Sequence, residues 1–201
     1  GSTKAEPAPL LAAAKSPDLS IRLAAVLALR RHAHAGIAAF LKDEDGYLLT
    51  EVARAIHDDF SIPEALPALA EILDRPNLSG EPLLRRVINA NFRVGRPEDA
   101  TRLARYAARK DAPQNMRTTA LAGLALWPQP PVLDAVEGRF RKHAPRDPGI
   151  AAKALSAVAD ELVADAPAKV MTVFARAVER LKVVELLPAV RAAYGSENAT
   201  P

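Results

Sequence analysis

The stretch LLRRVINANFRVGRPEDA, residues 83 to 100, has the apolar spacing of a buried helix, yet Asn91 stands where that spacing asks for a small or hydrophobic side chain. With Leu84 at zero on a helical wheel, Val87, Ile88, Asn91 and Val94 share one stripe. Arg85, Arg86, Asn89 and Arg93 fall on the opposite side. Asn91 is therefore expected to point inward as an architectural residue. A buried amide must find partners, here expected among the backbone groups of an adjacent turn.

The same pattern recurs along the chain. Aligning IRLAAVLAL (21–29), LLTEVARAI (48–56), LRRVINANF (84–92) and MRTTALAGL (116–124) gives a first column of Ile21, Leu48, Leu84 and Met116. The fifth column reads Ala25, Val52, Ile88 and Ala120, and the ninth Leu29, Ile56, Phe92 and Leu124. The eighth, Ala28, Ala55, Asn91 and Gly123, favours small residues that let helices approach closely. These columns lie at i, i+4, i+7 and i+8, one helical face, repeated every few tens of residues. Second amphipathic segments lie between them: AGIAAFLKD (35–43), PEALPALAEILDR (63–75) and PEDATRLARYAARK (97–110). Breakers and N-cap acceptors at Ser16-Pro17-Asp18, Asp43 to Gly46, Pro76 to Gly80 and Asp111-Ala112-Pro113 separate them. Pro67 is expected to kink its helix. Trp127-Pro128-Gln129-Pro130-Pro131 marks a sharper corner, where Trp127 is expected to serve packing.

Composition agrees with an all-α fold. Alanine and leucine dominate, aromatics are 4%, and runs rich in Val, Ile and Thr that would signal strands are missing. At 201 residues, 49% hydrophobic and 25% charged, the chain can bury a substantial core. A formal charge of +3, from 27 basic against 24 acidic residues, gives little support to nucleic acid as a partner. No apolar run is long enough for a membrane span. The absence of cysteine rules out disulfides, thiolate metal sites and covalent haem attachment within this segment. The expected architecture is a solenoid of stacked antiparallel helical hairpins. DLSIRLAAVLAL (18–29) resembles the second helix of a HEAT repeat, and repeat character extends over residues 7–195. Gly1-Ser2 resembles an expression scar, so residues 1–6 are expected to be a disordered lead and 196–201 a flexible tail. PGIAAKALSAVADELVADA (148–166) and AKVMTVFARAVERLKVVELLPAVRAAY (168–194) supply further helices, with repeat phase lost after residue 142.

A longer match narrows this. EVARAIHDDFSIPEALPALAEILD (51–74), PLLRRVINANFRVGRPEDATRLARYAA (82–108) and MRTTALAGLALWPQPPVLDAVEGRFR (116–141) resemble the HEAT segment of large bacterial membrane-bound dehydrogenase-like, c-type haem-binding proteins. The resemblance covers residues 18–142. It implies a periplasmic or otherwise exported parent that joins this segment to a sugar-dehydrogenase-like β-propeller and a haem module. The chemistry would then reside outside this chain, which would need no cofactor of its own. Its partners would be other domains of the parent or another protein.

Candidate sites are few. Arg85, Asn89 and Arg93 form an i, i+4, i+8 row, read either as a docking stripe for an acidic partner or as a solvated face laced to Glu51 and Asp58. His32 and His34, two apart, cannot share a metal as an i, i+4 pair could. His57-Asp58-Asp59 is expected to serve a helix end rather than catalysis, since no nucleophile is fixed nearby. LKDEDGYLLTEV (41–52) lacks oxygen ligands at the first and twelfth positions of a calcium loop. Asn198-Ala199-Thr200 matches a glycosylation sequon. No catalytic residue is assigned. The alternative class is a nucleic-acid-binding HEAT-like protein or DNA glycosylase, for which the aromatics are sparse.

Overall fold

In the computed structural model the described residues are 7–58 and 62–197. Asp59, the expected lead and the sequon lie outside them. The described residues are mostly helical, and the only β feature among them is an isolated antiparallel bridge between Leu133 and Phe140. The helices are α1 (Pro7–Ala12), α2 (Leu19–Arg31), α3 (Gly46–His57), α4 (Leu66–Glu71), α5 (Glu81–Val94), α6 (Pro97–Ala108), α7 (Gln114–Ala125), α8 (Pro148–Ser156), α9 (Ala159–Asp165), α10 (Ala168–Leu181) and α11 (Leu187–Glu197). The chain forms two compact units, residues 1–90 and 91–201.

In the first unit α2 packs against α1 and α3. Its start is fixed by Asp18, whose side chain accepts from the Ser20 N–H, and α3 is started in the same way by Asp45 on the Leu48 N–H. The segment Ala35–Lys42 is a 3₁₀ helix rather than an α-helix. Its apolar residues Ile37, Phe40 and Leu41 are still buried. Arg75 donates from Nη1 to the Leu41 carbonyl at 2.6 Å and from Nη2 to the Asp43 carbonyl at 3.1 Å, closing the turn that follows. Pro67 does not kink a helix, contrary to the expectation from sequence. It lies in the first turn of α4, after a 3₁₀ turn at Pro63–Ala65, where a missing N–H costs nothing.

In the second unit α6 and α7 are joined by a five-residue connection and pack together, α10 covers α7, and α8 covers α6. Arg117 of α7 is buried and donates from Nε to the Ala107 carbonyl at 2.7 Å, satisfying an orphan acceptor at the end of α6. Lys182, in the left-handed region at φ 56°, ends α10. Between α7 and α8 the chain leaves the helical pattern altogether and runs from Trp127 to Asp147 without a helix.

The repeated columns are buried in all four helices at the fifth and ninth positions, from Ala25 and Leu29 in α2 to Ala120 and Leu124 in α7. The first column departs at Ile21, which is half exposed, whereas Leu48, Leu84 and Met116 are inside.

Candidate functional site

At the end of α3 a chain of polar groups forms where the helix leaves its last carbonyls. Asn89 Nδ2 can only donate, so its 3.0 Å contact makes His57 Nε2 the acceptor and leaves the proton on Nδ1. That proton is donated to Asp58 Oδ1 at 2.9 Å. Asp58 in turn receives Arg86 Nε on Oδ1 at 3.0 Å and Nη2 on Oδ2 at 2.8 Å. A carboxylate at a helix C-terminus opposes the macrodipole, and this pairing offsets it. Burial alone would raise the Asp58 carboxyl, but hydrogen bonds from His57 and Arg86 and the arginine's charge hold it well below the usual carboxylate range. The order Asp–His resembles a general-base pair. However, His57 is fully enclosed and its Nε2 is already occupied by Asn89, so no reacting proton can reach it. The arrangement is a clasp.

A pH dependence follows from that lowered pKa. A depressed folded value means stability that is fully present above the ordinary carboxylate value of 3.8 and is lost as pH falls through the folded one. Asp58→Asn is expected to cost about 1–2 kcal/mol in urea unfolding at pH 7. The difference from wild type should narrow as the pH is taken below 4; a gap that stays constant down to pH 2 would contradict the pairing.

In the second unit the excursion between α7 and α8 is anchored by charge. Arg93 Nε donates to Asp134 Oδ2 and its Nη2 to Glu137 Oε2, both at 2.7 Å. The Arg93 and Asp134 side chains are 1% and 2% exposed. Arg141 also donates to Glu137. Asp134 Oδ1 accepts from the backbone N–H groups of Val136 and Glu137, each at 2.9 Å, which shapes the turn between the bridge residues. Gly138, at φ 67°, completes that turn in the left-handed region that suits glycine.

Beside it, Arg146 lies over the rings of Trp127 and Phe92, at 4.7 and 5.0 Å from their centroids. Phe92 and Trp127 meet edge to face at 6.2 Å. Gly95 makes room for this guanidinium: a Cβ there would lie 2.6 Å from Arg146 Cζ, and φ is 74°. His143 packs its ring against Phe92, and burial, followed by the charges of Arg146 and Arg93, lowers its pKa. Asn91 is fully buried, and its Oδ1 accepts from Arg102 Nη1 at 3.0 Å. Arg102 also donates to Asp99, a buried carboxylate that accepts the Arg96 backbone N–H and so caps α6.

The row Arg85, Asn89 and Arg93 does not present one solvent face. Arg85 is exposed and paired with Glu81 on its own helix at 2.7 Å. Asn89 is buried on His57, and Arg93 on Asp134 and Glu137. The cause is that α5 is covered over a wider arc than one apolar stripe, and the polar side chains inside that arc are those with a fixed partner. Of the two acidic neighbours expected for this face, Asp58 does pair with Arg86, whereas Glu51 pairs with Arg54. For Asn91, whose amide is expected from sequence to meet backbone groups of an adjacent turn, the structure supplies a side-chain donor, Arg102. His34 serves as an N-cap, accepting the Gly36 N–H on Nδ1 at 3.0 Å. Among the described residues no group of His, Asp and Glu is arranged to hold a metal ion, and no helix is long and apolar enough to cross a membrane. Sequence reading missed Asp134, Glu137 and Arg141; the signal available was a glycine at 138 within a charged segment that follows a proline cluster.

Comparison with known proteins returned no matching family model and no significant match among curated proteins.

Proposed function

We propose that this chain is a noncatalytic interaction or interdomain scaffold, a HEAT-like solenoid of helical hairpins within a larger exported, haem-containing dehydrogenase-like protein. The observation that supports this best is the burial of the same two sequence columns in four separate helices, α2, α3, α5 and α7. Repeating units that each shield a neighbour's apolar face are the physical basis of such stacks. The polar groups described above support it too, because their donors and acceptors are directed at one another and at helix ends. Catalysis would belong to the flanking modules, with haem held there and this segment positioning them.

Co-expression with the modules that flank it in the uncut reading frame tests this reading. Stable co-elution with a β-propeller or a Cys-x-x-Cys-His module is expected. Fluorescence anisotropy with duplex DNA should show no steeply salt-dependent binding; a slope reflecting several phosphate contacts would overturn the scaffold in favour of nucleic-acid recognition.

A further inference from the structure

We propose that the hairpin of residues 132–141 is a docking edge for an extended partner segment in which apolar residues alternate with carboxylates. This rests on the scaffold reading and supplies it with a contact. The bridge between Leu133 and Phe140 is held by Arg141 N–H to the Val132 carbonyl at 2.7 Å and Asp134 N–H to the Arg139 carbonyl at 2.8 Å. These bonds flank the bridged pair, which is therefore the non-hydrogen-bonded kind. The N–H and C=O groups of Leu133 and Phe140 consequently point outward, to the two free edges. No intramolecular hydrogen bond uses them.

The side chains agree. Phe140 is 71% exposed, with Leu133 and Val132 each more than half exposed. Such a cluster on an open edge would be a hazard unless a partner covered it. Its charge then selects the partner. Asp134 and Glu137, the two acids of the hairpin, are turned inward onto Arg93 and Arg141. Arg139 and Lys142 are exposed on either side of Phe140. An added strand running antiparallel to residues 139–142 would set an apolar residue opposite Phe140 and, one position along, a carboxylate on the Arg139 face.

Other occupants fit less well. A second copy of the chain would bring the same cations together. An anionic membrane would meet the cations but has no alternating N–H and C=O groups to pair with the edge. The buried ionic root holds the hairpin in shape before binding, which lowers the ordering cost of adding a strand.

The test uses a fluorescein-labelled short peptide alternating valine and glutamate, and its counterpart with lysine for glutamate. Saturable binding of the glutamate peptide alone is expected, with backbone amide shift changes confined to residues 132–142. Phe140→Thr, which keeps strand preference at an exposed site and should leave melting unchanged, is expected to weaken binding at least about tenfold, and Arg139→Glu with Lys142→Glu likewise. The proposal is overturned by equal binding of both peptides, by indifference to Phe140→Thr, or by no saturation at millimolar peptide. Dimerisation that Phe140→Thr abolishes, or binding to phosphatidylserine vesicles without binding to the peptide, would also overturn it. If the peptide fails while the flanking modules still co-elute, the hairpin edge falls and the scaffold reading stands.

Discussion

Arg93→Ala is expected to destabilise the second unit by about 3–5 kcal/mol in urea unfolding, among the largest effects of any polar substitution in the chain. The arginine's own hydrogen bonds are the smaller part of that cost. Its removal takes the 2.7 Å donors from Asp134 Oδ2 and Glu137 Oε2 in a region where these side chains are 2% and 9% exposed, and leaves Arg141 Nε at 4.0 Å from Asp134 Oδ2. Arg141 remains on Glu137, so Asp134 suffers most. Pairing Arg93→Leu with Asp134→Leu removes both charges together and should recover much of the loss, although Asp134 also fixes the Val136 and Glu137 N–H groups, so recovery will be incomplete. A double-mutant cycle measures the coupling directly. A loss below about 1 kcal/mol for Arg93→Ala would mean that water reaches the carboxylates, and the rigid root of the hairpin would be lost with it.

The helices were legible in sequence because apolar periodicity reports burial by hydrophobic contact. That signal located the column residues of α3, α5 and α7, and the breakers around Asp45 and Pro113 marked real helix starts. It failed where burial is driven by polar pairing. Arg93 reads as a solvent residue on any wheel, since its partners lie 41 and 44 positions further on and nothing local announces them. Asn89 fails for the same reason, its partner His57 being 32 positions earlier. Ala35–Lys42 has the composition of an amphipathic helix, but it winds as 3₁₀ while packing against α2 and α3. The hairpin is a further case: Asp134, Glu137 and Arg141 are spaced as one helix face would space them. The glycine at 138 and the aspartate's grip on two backbone N–H groups turn the same residues into a loop instead.

Trp127→Ala is expected to cost about 3–5 kcal/mol, because a fully buried indole leaves a cavity that the surrounding chain can only partly close. The loss extends beyond volume. Phe92 loses its edge-to-face neighbour, and Arg146, which stands over both rings, keeps only one. Trp127→Phe separates these contributions. The indole Nε1 is buried with no hydrogen-bond partner, so replacing it by a ring without a polar atom removes an unsatisfied donor while keeping most of the aromatic surface under the guanidinium. Trp127→Phe should therefore fall within about 1–2 kcal/mol of wild type. Since the chain has a single tryptophan, both variants must be followed by circular dichroism, and wild-type fluorescence reports on this corner alone. Equal losses for phenylalanine and alanine would show that the indole N–H is bonded and that ring packing under Arg146 contributes little. The corner would then be held by a polar contact rather than by the edge-to-face rings beneath Arg146.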